Sequence, residues 1–173
     1  MITAIKPRDL LLPSIDIWFT RWFVLTAGDR KNFNSMTVAW GSVGGMWEMP
    51  FVQVVVRPTR HTFGFMNDFD TFTLCSFPRK YRKDLAILGS RSGRDGDKIA
   101  LTKLTPVKSA AVAAPSFKEA DLVLECRKMY WQDLDDRNFL SAKIAANYPQ
   151  MDYHRVFFGE ILRIRGSREF RRK

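Results

Sequence analysis

The sequence predicts a mainly β protein with a few helices, its strands antiparallel in a barrel or sandwich. Three observations carry this. Short segments rich in β-branched and aromatic residues recur along the chain, and turn residues separate them. Long helical patterns that could cross over between parallel strands are not interposed between them.

The elements follow in order. Trp18 to Thr26 is aromatic and β-branched enough for a strand, and Ala27-Gly28-Asp29-Arg30 ends it in a turn. Met36 to Trp40 restarts as a strand, after which Gly44-Gly45 is expected to bend the chain. The run Phe51 to Val56 is nearly continuous in apolar residues, which predicts a central strand covered on both faces. Pro58 stops extension, and Thr62, Phe65, Met66 and Phe69 fall at helical spacing on a short helix beginning near Thr59 or Arg60. Thr71 to Phe77 reads as a strand; Tyr81, Leu85 and Leu88 then recur on a helix that Gly89 is expected to end. Ser90 to Lys98 holds only Ser, Gly and charged residues, with nothing to bury, and predicts no regular element. Leu122, Leu124 and Cys126 alternate with Val123, Glu125 and Arg127, and Val156 to Arg165 reads as the last strand.

Length and composition bound the function. A chain of 173 residues, 46% hydrophobic and 13% aromatic, can build one proper core, so a single domain over residues 1–173 is expected. The longest uncharged stretch, Asn32 to Trp47, carries Asn, Ser and Gly and falls short of the ~20 apolar residues of a membrane-spanning helix. The opening residues, with Lys6, Pro7, Arg8 and Asp9, lack the apolar run of a secretory signal, which makes the cytoplasm the expected location. Cys75 and Cys126 are too few for a disulfide framework and read as reduced strand thiols. With only His61 and His154 beside them, no metal site is expected. Neither the dinucleotide fingerprint nor the phosphate-loop motif is present.

Lys and Arg number 28 against 18 Asp and Glu, a net charge of +10 that calls for an anionic partner. The excess concentrates between Arg79 and Lys98 and in the tail from Arg163 to Lys173, where a solvated, frayed end is the expectation. Three segments hold concentrated polar chemistry. Asn34 to Gly41 could offer small hydroxyls and backbone N–H groups to a planar ligand, or be a plain turn into a strand. Val56-Arg57-Pro58-Thr59-Arg60-His61-Thr62 puts cations and hydroxyls at a helix start, where dipole and charge together favour a phosphate. A capped helix with solvated arginines explains the same residues. In the third, Leu88 to Lys98, glycines permit close approach, Arg94 and Lys98 supply charge, and Asp95 and Asp97 would orient them. A basic surface loop is the alternative.

These segments carry a resemblance. Asn34 to Trp40, Val56 to Thr62, Ser92 to Lys98, and Asp152-Tyr153-His154 leading into Phe158-Gly159-Glu160-Ile161 are similar, in order and spacing, to the flavin reductase-like, FMN-binding split-barrel family that includes flavoredoxin. The resemblance spans nearly the whole chain. It implies an antiparallel, Greek-key-like split β-barrel that forms a homodimer and holds FMN at or near the dimer interface. It implies that Asn34, Ser35, Met36, Thr37, Ala39 and Trp40 line the isoalloxazine and ribityl chain. Arg57, Arg60, His61 and Thr62 would surround the phosphate, and Ser92, Arg94 and Lys98 would close over the cofactor. Relatives often place small hydroxyl residues where Ala39 and Trp40 stand, which leaves core packing as the other place for Trp40.

The implied activity is that of an FMN-dependent oxidoreductase. It would move electrons from NAD(P)H through bound flavin to free flavin, a protein or a small acceptor, with no catalytic side chain required. Two alternatives stand beside it. One is an FMN electron carrier without NAD(P)H turnover. The other is a basic β-barrel for single-stranded nucleic acid, which the gathering of aromatics in core-like strands speaks against.

Overall fold

A computed structural model describes residues 2–172 of the chain. In order, the strands are β1 (Thr3–Ile5), β2 (Phe23–Gly28), β3 (Phe33–Val38), β4 (Gly41–Met46) and β5 (Met49–Val56). Helix α1 (His61–Asp68), β6 (Thr71–Ser76) and α2 (Arg82–Ser90) follow. Then come the short pair β7 (Pro106–Val107) and β8 (Ser116–Phe117), the long strand β9 (Leu122–Asp133), helix α3 (Ala142–Ala145) and β10 (Arg155–Gly166). The main sheet runs β3-β2-β6-β9-β10-β5-β4 with every pairing antiparallel, and β1 adds to the far half of β10. The expected antiparallel β class with few helices is the one observed.

Connectivity forces the sheet to curl. β3 and β4 are its opposite edges, yet only Ala39 and Trp40 join them. At ~3.3–3.6 Å per residue that link reaches roughly 10 Å, so the two edges face each other across a narrow seam without pairing. The result is a barrel split along one line. Its interior is filled by Phe23, Leu25, Val52, Val54, Val56, Phe72, Leu74, Phe157 and their neighbours, all buried. A second core, formed by Val24, Cys75, Phe77, Leu85, Leu88, Phe117 and Val123, lies where α2 covers the outer face of β2 and β6. Both cysteines are free and buried, as read from the strands. No helix among the described residues is long and apolar enough to cross a membrane.

Several local expectations are corrected. The segment beginning at Trp18 is not strand throughout: Ile17–Arg21 forms a π-helix that buries Ile17 and Trp18, and Trp22 takes φ 67° to redirect the chain into β2. The second predicted strand stops at Val38, because Ala39 and Trp40 are needed to cross the seam. Gly44 and Gly45 lie inside β4, and the bend falls at Trp47 and Glu48, whose φ values of 50° and 60° make a tight two-residue hairpin turn. Gly89 does not end α2, which runs on to Ser90. A Cβ there would come within 3.3 Å of Thr37, so the glycine serves close packing of helix on strand. The tail is not frayed as far as Arg172; Lys173 lies outside the described residues. Phe170 is buried, Arg171 bridges to Leu10, and the Arg172 N–H donates to the Asp9 carbonyl.

The correction with the widest consequence concerns β5. It is flanked by β4 and β10, but only Val52, Val54 and Val56 are buried; Phe51, Gln53 and Val55 point outward. On that outer face Phe51 stacks on Phe158 at 6.0 Å between centroids, and Trp47 and Tyr130 close around Phe158. Trp47 and Tyr130 are about half exposed, at 52% and 46%. The aromatics therefore do not all gather in the core; four of them form a surface patch.

Candidate functional site

Two adjoining depressions follow β3. At the seam lies a groove of about 210 Å³ lined by Met36, Thr37, Val38, Ala39, Trp40, Val55, Arg57 and His154. Trp40 is 43% exposed and stands 5.2 Å from the His154 ring, so it belongs to the groove and not to the core. The Thr37 hydroxyl donates to the Leu85 carbonyl and ties β3 to α2. Arg57 closes β5 and points into the groove, where its guanidinium donates to Asp152 (2.6 Å) and to the Asn147 carbonyl (2.7 Å). His154 is buried, and its Nδ1 lies 2.8 Å from the Tyr148 hydroxyl. Burial, reinforced by the Arg57 charge, pushes its pKa down to about 4 against the pull of Asp152. The ring is neutral at pH 7.

The second depression is a cleft of about 180 Å³ at the start of α1. Asn34, Thr59, Arg60, His61, Thr62, Ser92, Gly93, Arg94 and Lys98 line it, with Ser90 and Arg91. Three of its cations are positioned by backbone carbonyls. Arg60 donates to Gly89 (2.6 Å), Arg94 to Thr59 (3.1 Å), and the Lys98 ammonium to Leu88 and Arg91 (both 3.1 Å). Asn34 donates to the Thr62 hydroxyl at 2.6 Å. Among the described residues none of these cations forms an ion pair with a carboxylate. Their mutual crowding is visible in their proton affinities. Burial, with Arg60 alongside, lowers the Lys98 pKa to about 8, and burial lowers Arg60 as well. His61 is pushed down by burial and by the charges of Arg94 and Lys98. Such a cluster is short of negative charge, and the exposed N–H groups of a helix start add to its pull.

The structure thus divides the predicted residues. It brings Asn34, Arg60, His61, Thr62, Ser92, Arg94 and Lys98 together in the cleft, and Met36, Thr37, Ala39 and Trp40 together in the groove. It places Arg57 in the groove and not beside the other cations. Ser35 lines neither; its hydroxyl is paired with Thr26 at 2.8 Å in the interior. Asp97 does not orient Lys98, since its carboxylate accepts from the Ile99 and Ala100 N–H groups and shapes the turn that follows. The sequence marks His154 only as part of a motif. Its place beside Arg57 comes from the β5–β10 register, in which Arg155 pairs with Val56.

Ser92 caps the single turn Gly93–Asp95 by accepting from the Arg94 N–H (3.1 Å). A Cβ on Gly93 would meet Asn34 Oδ1 at 2.2 Å and the His61 ring at 2.9 Å. Gly93→Ala is therefore expected to push this turn off β3, separate Arg94 from the cleft, and weaken anion binding about ten-fold or more, read by calorimetric titration. An unchanged affinity would remove the turn from the site.

The residues 19–172 match the family model described as flavin reductase like domain. The chain belongs to this family. Among solved structures, the flavin reductase-like protein is similar to flavoredoxin of Desulfovibrio vulgaris (Miyazaki F), with TM-score 0.67 and 22% identity over 92% of this chain and 73% of that one. It is similar to an FMN-binding domain of a flavin reductases-like enzyme from Shewanella baltica OS155, with TM-score 0.69 and 17% identity over 96% and 77% of the two chains. An NADH:FAD oxidoreductase of Streptomyces globisporus C-1027 gives TM-score 0.64 and 18% identity, covering 84% and 74%. At these identities the likeness is one of fold. No curated protein sequence matches the chain.

Proposed function

We propose that this flavin reductase-like protein is an FMN-dependent oxidoreductase, a homodimer that takes electrons from NAD(P)H and passes them to free flavin, a protein or a small acceptor. The observation that carries this reading is the cleft of cations without counter-charge, set one step along β3 from an open groove. From Asn34 in the cleft to Thr37 in the groove is roughly 10 Å at ~3.3 Å per residue, a distance that suits a ligand with a phosphate at one end and a planar ring at the other. Arg60, His61, Arg94 and Lys98 would hold the phosphate together with the first N–H groups of α1. Met36 to Trp40, Val55, Arg57 and His154 would flank the ring. FMN bound there would supply hydride acceptance and onward electron transfer. The chain's own contribution is to orient it: β3 backbone along one edge, the Arg57 charge near the ring, and a neutral His154 braced by Tyr148. Two buried free thiols support a reducing, cytoplasmic setting.

Steady-state oxidation of NADH and NADPH with FMN present tests the activity. Turnover supports a reductase, whereas a coloured protein that oxidises neither would be an electron carrier. The Lys98 ammonium gives a pH signature. Its pKa near 8 rises once a phosphate dianion sits beside it, so binding takes up a proton above that pH. FMN affinity governed by this group should be level below about pH 8 and fall by up to ten-fold per unit above it. A flat profile from pH 7 to 10 would detach Lys98 from the phosphate.

A further inference from the structure

At the start of α2, the opposite end of that helix from the cleft, lies a cavity of about 450 Å³ that shares no residue with the cleft or the groove. The close of the π-helix, the end of β6 and the first turn of α2 form its walls. Its floor is apolar. Phe77 and Leu85 are buried members of the second core, and Pro78 carries that surface to the rim. Phe77 is held between Tyr81 and Phe117, with ring centroids at 6.1 and 5.9 Å. Over this floor stand three guanidinium groups, those of Arg21, Arg79 and Arg82. Arg21 is fixed by ion pairs with Asp121 and with Glu169 (3.3 Å). Arg82 is fixed differently, donating to the Thr20 carbonyl and lying over the Trp22 ring. Among the described residues neither Arg79 nor Arg82 pairs with a carboxylate, and no acidic residue lines the cavity. Solvation alone accounts for Lys80 and Lys83, which are exposed on the same segment. It does not account for cations gathered over a concave apolar floor, of a volume within the ~300–1,000 Å³ of small-molecule sites.

We propose that this cavity binds a small organic acid, a carboxylate on a ring-sized apolar body, with the body on Phe77, Pro78 and Leu85 and the carboxylate received by Arg79 and Arg82. The planar fork of a guanidinium matches a carboxylate in two parallel hydrogen bonds. The apolar floor supplies the selection, because a small hydrated anion gains nothing from it and a neutral ring leaves the guanidiniums without a counter-charge. The site does not depend on the proposed flavin chemistry.

Calorimetric titration of the purified full chain with benzoate tests this. Benzoate is expected to bind at one site per chain with a dissociation constant below about 1 mM. Acetate, which has the charge and no body, and benzyl alcohol, which has the body and no charge, should each bind at least ten-fold more weakly. Arg79→Met keeps the stem of an exposed side chain and deletes its charge, and Thr20→Trp fills the mouth of the cavity from its exposed rim. Each should weaken benzoate ten-fold or more while the melting temperature of the free protein stays that of wild type. Arg60→Ala, in the cleft, should leave benzoate affinity within two-fold. Absence of saturable benzoate binding up to about 10 mM would overturn the proposal, and so would equal affinity for benzyl alcohol. Loss of benzoate binding in Arg60→Ala, with none in Arg79→Met, would put the acid in the cleft and overturn it as well.

Discussion

Lys98→Met is expected to raise the dissociation constant for FMN at pH 7 by about ten-fold to a hundred-fold, in line with ~1.5–3 kcal/mol for a charge-assisted bond to phosphate. The lysine is 5% exposed, its ammonium held by the Leu88 and Arg91 carbonyls at the end of α2 and directed at a cleft without carboxylate partners. Methionine keeps the stem and deletes the charge. Because burial and Arg60 already disfavour the ammonium, removing it should leave the melting temperature of the flavin-free protein unchanged or slightly higher. The variant should also lose the fall in affinity above about pH 8. Isothermal titration at several pH values reads both effects. Wild-type affinity together with a wild-type pH profile would show that Lys98 only closes the helix end.

Phe158→Asp should convert a dimer into a monomer. Phe158 sits at the centre of the outer-face patch, in contact with Trp47, Phe51 and Tyr130, on a sheet face that nothing among the described residues covers. An exposed aromatic cluster of this kind marks an interface, and a two-fold dimer would bury each such residue twice. A carboxylate there is an unpaired charge in each copy. We expect the dimer dissociation constant to rise more than a hundred-fold, measured by light scattering over a dilution series, with circular dichroism unchanged because the side chain faces away from the barrel. Wild type that scatters as a monomer at micromolar concentration would remove the homodimer from the reading.

The sequence exposed the fold class because alternation and turn residues are local properties. β6 and β10 stand where their patterns placed them, β9 begins at the expected Leu122 but runs on past Arg127 to Asp133, and α1 starts one residue after Arg60. What escaped were features set by partners far away in the chain. The run Phe51 to Val56 looked covered on both faces because hydrophobicity records that a residue wants burial, not whether the same chain supplies the cover. The cleft residues were legible as cations near a helix start and a glycine turn, which is local chemistry. Their separation from Arg57 was not, since it follows from the β5–β10 register and from Asp152 claiming the guanidinium. The strand predicted at Trp18 failed for a related reason: the same apolar residues plug the barrel end from a π-helix instead of joining the sheet.

Titrating the purified, flavin-free protein with FMN addresses the reading at its root. Saturable, stoichiometric binding to each chain, competed by inorganic phosphate and weakened by Arg60→Ala, is the expected result. No heat and no change in flavin fluorescence up to millimolar FMN would contradict it, and would leave the cationic cleft to some other anion.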